Sequence, residues 1–341
     1  MKLLRFLLFP FAVVYDLVTR IRNYFFDVGI FKETSFKIPV IVVGNLSVGG
    51  TGKTPQIEYL IRLLKNNFKT AVLSRGYKRK TQGFVMLNNT HSVEDVGDEP
   101  LQYFQKFNNI DVAVDANRVA GIRTLIKDKK PEVILLDDAF QHRKVKGSFY
   151  ILLTKYDDLF SDDFLLPTGN LRESSRGAAR ADVIVVTKCP LDLNGLEKEK
   201  IKKKLRKYKK EVFFTTIKYA NTLSGSATIT VEELKDYEVL LITGIANPKP
   251  LRAYLKFLGI RFQHLKFNDH HEFSNHEISD IKERFEKITS PKKIILTTEK
   301  DYVRLVNKIE ILSFLAIETS FLEEKETRFN NLILNHIKQK G

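Results

Sequence analysis

The chain has 341 residues, 43% hydrophobic and 28% charged, an ordinary balance for a globular fold with room for two modest domains, each burying its own core. Lysine and arginine number 56 against 41 acidic residues, a net charge of +15, which favours anionic partners such as nucleic acid, acidic lipid headgroups or phosphorylated substrates without choosing among them. The single cysteine, Cys189, excludes an intramolecular disulfide framework and has no second cysteine with which to form a metal pair.

Residues 1–30 read as a helical segment. Leu3 to Tyr15 is rich in Leu, Phe and Val, but Arg5 and Pro10 break the run and Asp16 ends it. It is too short for a bilayer span, which needs roughly 20 apolar residues, and no small-residue cleavage site follows its basic start. Val14, Leu17, Val18, Ile21, Tyr24 and Phe25 recur at helical spacing, with Arg20, Arg22 and Asn23 on much of the remaining surface. The pattern predicts an amphipathic helix whose apolar side enters the headgroup boundary of an anionic membrane. An amphipathic helix docked on its own domain has the same pattern.

Residues 41–55, IVVGNLSVGGTGKTP, follow. A β-branched strand empties into a glycine-rich loop, Ser47, Val48, Gly49, Gly50, Thr51 and Gly52, ending in Lys53 and Thr54 at the start of a helical run. This is the layout of a P-loop: backbone N–H groups turn to phosphate oxygens, the lysine reaches the β/γ-phosphates and the hydroxyl ligates Mg²⁺. Ser47 stands where the pattern begins with glycine.

Short apolar runs then alternate with helical stretches. Strands are predicted at 70–74, 111–114, 133–136, 149–153, 183–187 and 212–217, with helices at 99–106, 118–127 and 197–209. The alternation gives an α/β fold, a P-loop NTPase-like, mostly parallel sheet flanked by helices, over residues 31–219. A polar stretch at 220–235 reads as a hinge. A second alternation (strand 239–243, helix 248–258, strand 262–267, helix 276–287, strand 293–298) gives a smaller α/β domain over 236–318, followed by a C-terminal helix in 319–341. No internal repeat is evident.

The strand Val133 to Leu136 ends in Asp137 and Asp138. Beside a P-loop, a carboxylate there orients Mg²⁺, though a surface turn would also accept two aspartates. Ser74-Arg75-Gly76-Tyr77 follows the second strand at the edge where such sheets bind ligands. Asp98, in Val96-Gly97-Asp98-Glu99-Pro100, stands where helix N-caps stand. Arg172, in Leu166 to Glu173, is placed to meet phosphate, and His142 on its own reads as structural.

In order, the blocks GNLSVGGTGKTP, LSRGY, VGDEP, LLDDAFQH, LPTGNLRE, GIANP, FNDHHEF and TTEKDYVR resemble the lipid A 4′-kinase (tetraacyldisaccharide 4′-kinase) family over nearly the whole chain. The chain departs from the family pattern at Lys78, Ala139 and near Asn170, positions that shape loops and carry no proposed chemical group. The resemblance implies transfer of the ATP γ-phosphoryl to the 4′-hydroxyl of an acylated disaccharide 1-phosphate lipid. It implies two α/β domains with ATP and Mg²⁺ in the cleft, at the cytoplasmic face of the inner membrane. It points to Asp98 as general base, to His270 as its partner, and to Lys53 as the phosphate-stabilising cation. Thr54, Asp137 and Asp138 would hold the metal, with Arg172 and Glu173 supporting the phosphate site. Because Asp98 and His270 fall in different predicted domains, catalysis should require closure.

Three rival readings make distinct predictions. A regulatory P-loop GTPase needs an Asn/Thr-Lys-x-Asp base-reading motif, but Thr187-Lys188-Cys189 is followed by Pro190. A nucleic-acid module lacks any recognisable binding motif, and the basic residues are dispersed. A soluble small-molecule kinase has no need of the apolar N-terminus. No nucleic-acid or protein partner is predicted.

Overall fold

The structure, a computed structural model, describes residues 5–323 and 325–340. The first long helix, α1 (Phe9–Asp27), starts at Pro10, whose fixed φ suits a first turn. Strand β1 (Val40–Asn45) is buried along its whole length, as its β-branched run requires of a central parallel strand. The loop after it leads into α2 (Lys53–Leu64). Then come β2 (Thr70–Ser74), β3 (Val85–Met86), α3 (Asp98–Lys106), β4 (Asp111–Val114), α4 (Arg118–Lys129), β5 (Val133–Asp137), β6 (Phe149–Lys155), β7 (Val183–Thr187), α5 (Gly195–Leu205) and β8 (Glu211–Tyr219).

The chain then builds β9 (Ser224–Gly225), β10 (Glu238–Thr243), α6 (Lys249–Phe257), β11 (Phe262–Lys266), α7 (Asn275–Glu286), β12 (Lys293–Thr298), α8 (Glu299–Leu305) and β13 (Ser313–Leu315). It closes with β14 (Ile317–Phe321) and α9 (Lys325–Lys340).

These strands form two sheets. The first has nine strands in the order β14-β8-β7-β6-β1-β5-β2-β4-β3, parallel from β8 to β4 with an antiparallel strand at each edge. Helices cover both faces: Ile57, Leu60, Ile61 and Leu64 of α2 pack with Phe329 and Ile333 of α9 on one side, and Ile122 and Leu125 of α4 on the other. The second sheet, β11-β10-β12-β13-β9, is parallel except for β9.

Two segments differ from the sequence expectation. Within 220–235, expected as a hinge, Ser224–Gly225 pairs with β13 as the edge of the second sheet. Within 319–341, expected as a helix, the chain first completes β14, which pairs antiparallel with β8 of the first sheet. Short β-rich edge segments carry little periodicity of their own, so pairing decides them. The chain therefore passes between the sheets twice, after Tyr219 and between Leu315 and Ile317.

α8 packs on α3, and a buried ion cluster holds the two together. Lys106 Nζ lies 2.7 Å from Glu58 Oε2 and 2.7 Å from Glu299 Oε1. Burial, and then the neighbouring Glu58 charge, push the Glu299 carboxyl up to about 7. The packing brings the N-terminal turn of α3 under the β11–α7 turn, where the candidate site lies.

Candidate active site

The loop after β1 turns through two left-handed glycines, Gly49 at φ 99 and Gly52 at φ 89, conformations costly for any residue with a Cβ. Ser47 is instead extended enough to form an antiparallel bridge to Leu171, and Val48 N–H donates to Asn170 O at 2.8 Å. A pleated residue has no need of glycine, which accounts for serine at that place. Behind the loop, Thr187 Oγ1 donates to Thr51 O and Lys188 Nζ donates to Gly50 O, both at 2.7 Å. Asn45 Nδ2 donates to Thr51 Oγ1 at 2.8 Å. With those carbonyls tied outward, the intervening amides are free to face an anion. Lys53 and Thr54 open α2, whose first-turn N–H groups have no partner within the helix.

β5 lies beside β1 with Asp137 in register with Val43, so both aspartates emerge next to the loop. Asp137 is buried, and Ser74 Oγ donates to its Oδ2 at 3.3 Å. Burial, followed by the Glu99 and Asp138 charges, raises its carboxyl to about 7. Asp138 sits at a left-handed φ of 47. Burial alone would raise its carboxyl too, but Lys53 Nζ at 3.6 Å and Arg172 NH1 at 3.1 Å from both oxygens hold it below the ordinary range.

The donor set fits a Mg²⁺–nucleotide. A buried acid that is expensive to ionise, beside a second carboxylate, is chemistry that suits a cation. Among the described residues no group of three or more His, Cys, Asp or Glu could hold a metal unaided. P-loop metals are typically held by one hydroxyl, one carboxylate, phosphate oxygens and water.

Across the cleft, α3 begins after Gly97, at φ 91, where a Cβ would come within 3.1 Å of Tyr77 O. Asp98 is therefore presented, buried, in the first helical turn. His270, at a left-handed φ of 59 in the β11–α7 turn, brings Nδ1 to 2.7 Å from Asp98 Oδ2. Lys300 Nζ reaches His270 Nε2 at 3.0 Å and Arg304 NH2 reaches His270 Nδ1 at 3.0 Å, so a cation stands beside each ring nitrogen while Nδ1 also faces Asp98. Arg304 Nε donates to Asp98 Oδ1 at 2.7 Å and its NH2 to Oδ2. Burial would raise the Asp98 carboxyl, but the His270 and Arg304 hydrogen bonds overcome it and hold it at about 2. The Tyr77 ring meets the His270 ring edge-on at 5.4 Å.

Of the residues picked out in the sequence, Lys53, Thr54, Asp137, Asp138 and Arg172 gather on one side, and Asp98 and His270 on the other. Glu99, next to Asp98, acts on Asp137, so the two groups adjoin. Glu173 is buried, engaged by Arg180 NH2 at 2.8 Å, Gln141 Nε2 at 3.0 Å and Asn23 Nδ2 at 3.0 Å; it braces the loop instead of facing phosphate. His142 is pushed down to about 4 by burial and then by surrounding cations, Arg118 first. Ser74 lies in a segment already placed at the ligand-binding edge, whereas sequence reasoning missed Lys188, Lys300 and Arg304 as site residues. The last two lie in the quoted block TTEKDYVR, a signal without a partner until α8 meets α3.

The family model described as Tetraacyldisaccharide-1-P 4'-kinase matches residues 4–338. The chain belongs to that family. It is an ATP-dependent kinase of lipid A biosynthesis that phosphorylates the 4′-hydroxyl of a tetraacyldisaccharide 1-phosphate. A tetraacyldisaccharide 4'-kinase of Flavobacterium psychrophilum is 53% identical over 99% of this chain and 98% of its own. One from Bacteroides thetaiotaomicron is 43% identical over 97% and 93%. A crystal structure of LpxK from Aquifex aeolicus in complex with ATP superposes with a TM-score of 0.80 at 32% identity, covering 98% of this chain and 99% of that one. The GTPase, nucleic-acid and soluble-kinase readings are not favoured by these likenesses.

Proposed function

We propose that the kinase binds ATP on the loop Ser47 to Thr54 and transfers its γ-phosphoryl across the cleft to a sugar hydroxyl held against Asp98. The observation that carries this reading is the pairing of a P-loop on one sheet with a hydrogen-bonded Asp98–His270–Arg304 group reached from the other.

Loop amides and Lys53 neutralise the phosphate oxygens, the larger part of catalysis in such transfers. Thr54 and the Asp137–Asp138 pair would hold Mg²⁺, which would supply positive charge to the same oxygens. Arg172 keeps Asp138 ionised and aimed at Lys53. Asp98 takes up the hydroxyl proton as the new P–O bond forms, help worth about 10²–10⁴-fold. A carboxyl held at about 2 is ionised at any working pH but weakly basic, so its contribution rests on orientation: His270 and Arg304 fix both oxygens. On this reading residues 31–219, completed by β14, form the nucleotide half, and the second sheet with its helices forms the closing half.

α1 is placed on this reading at the surface of an anionic membrane, on the side where the lipid is presented. Phe11, Val14, Leu17, Val18, Ile21 and Tyr24 are all exposed on it, so the alternative in which this face docks on its own domain does not fit. Among the described residues no helix is long and apolar enough to cross a membrane, which agrees with a helix lying in the interface.

Incubation with Mg·ATP and the disaccharide 1-phosphate lipid should yield the 4′-phosphorylated product, and failure to form it would refute the reading. Replacing Leu17 and Val18 by serine should release the protein from phosphatidylglycerol vesicles; unchanged sedimentation would remove the membrane role of α1.

A further inference from the structure

The side of α1 turned away from its apolar face is also in use. Ala12, Asp16, Thr19, Asn23 and Phe26 form the less exposed stripe of the helix, spaced four and three residues apart as one helix face demands. From this side and its flank, and from Arg5 and Phe6 just before the helix, groups reach the segment 164–173. Arg5 donates through Nε to Pro167 O at 3.1 Å, through NH1 to Asn170 Oδ1 at 3.1 Å and through NH2 to Gly169 O at 3.0 Å. Tyr15 OH donates to Arg172 O at 2.8 Å, and Asn23 Nδ2 to Glu173 Oε2 at 3.0 Å. Phe6 stacks edge-on against Phe164 at 5.7 Å.

The far side of the same segment is fastened to the phosphate loop. Asn170 O accepts from Val48 N at 2.8 Å and Arg172 N donates to Leu46 O at 2.7 Å. The Arg172 guanidinium then spans both oxygens of Asp138, which faces Lys53. The segment is thus held between the N-terminal helix and the P-loop, with no covalent tie to α1 for more than a hundred residues.

We infer that Arg5, Tyr15 and Asn23 are positioning residues for phosphoryl transfer: the polar side of α1, with Arg5 just before it, holds the Arg172 segment so that the guanidinium stays on Asp138. This rests on the proposed role of Arg172. The helix would then serve two surfaces, one toward lipid and one toward the loop that completes the phosphate site. A helix shifted by its surroundings shifts Arg172 with it, because Tyr15 grips that residue's own carbonyl.

The test is a double-mutant cycle in the full chain, with detergent-dispersed lipid substrate and Mg·ATP. Tyr15→Phe combined with Asn23→Ala should lower kcat about tenfold, an expected loss of the size two positioning hydrogen bonds can give, while sedimentation with phosphatidylglycerol vesicles stays at the wild-type level. In an Arg172→Ala background the same pair should cause no further loss. Wild-type kcat in the Tyr15/Asn23 variant, beside a slow Arg172→Ala, overturns this inference alone. Losses that multiply in the combined variant also overturn it, since the helix contacts would then act independently of Arg172. Wild-type kcat in Arg172→Ala itself overturns the underlying role of Arg172.

Discussion

His270 Nδ1 stands 2.7 Å from Asp98 Oδ2 although 172 positions separate the two residues. One belongs to a turn of the second sheet and the other to a helix of the first. A contact of this kind exists only while α8 stays packed on α3, so the same packing that buries Lys106 and Arg304 also assembles the proposed acceptor of the sugar proton.

Arg304 is expected to set the acid limit of the reaction. It supplies two donors to Asp98, and without them burial works unopposed except by His270 and Lys300. In Arg304→Met the Asp98 carboxyl should rise from about 2 toward and beyond its ordinary 3.8. The acid limb of kcat/KM should then move to higher pH, whereas an unshifted limb would remove Arg304 from the proton-transfer group.

Asp137 has the opposite sign. Its carboxyl is raised from 3.8 to about 7, so the folded protein without metal holds a proton that the unfolded chain has lost. Stability should therefore fall as pH rises from about 3.8 to about 7 and level off above it. Asp137→Asn lacks that loss. Its melting temperature should exceed wild type at about pH 8, with the gap closing toward about pH 4 in metal-free buffer.

Lys188 ties Gly50 O from the end of β7. Lys188→Ala should free that carbonyl and loosen the amide cradle. The expected result is a several-fold higher KM for ATP, the order of one hydrogen bond to a charged donor, with a smaller change in kcat. A variant with unchanged KM would show that the loop keeps its shape without the clamp.

At the joint, Lys106→Met would leave Glu58 and Glu299 facing each other with only Arg62, 3.7 Å from Glu58, as a nearby cation. Removing one partner of a buried ion group costs on the order of 3–5 kcal/mol, read as a lowered unfolding midpoint in urea. Because the Glu299 carboxyl already lies near 7, the deficit should shrink as pH falls below that value and the group takes up a proton.

Much of the first sheet was legible in the sequence because its signals are local. Buried parallel strands such as Val183–Thr187 read as unbroken apolar runs, and a glycine-rich loop between strand and helix stands out by its spacing. The edges were not legible: Ser224–Gly225 and Ile317–Phe321 become strands only by pairing with β13 and β8. Asp98 and His270 could be picked through the family resemblance, but Arg304 was not, since nothing near it in the chain reveals that α8 will face α3. Glu173 shows the converse. The family resemblance placed it with Arg172 in support of the phosphate site, and burial with three donors makes that support a brace.

The most direct measurement of the central claim is single-turnover formation of 4′-phosphorylated lipid by Asp98→Ala, His270→Ala and the double variant, with ATP affinity measured alongside. Each single variant should lose about 10²-fold or more in turnover while keeping near-wild-type ATP binding, and the double should be little slower than the slower single. Wild-type turnover by Asp98→Ala, or losses that simply multiply in the double variant, would contradict a shared proton-accepting pair.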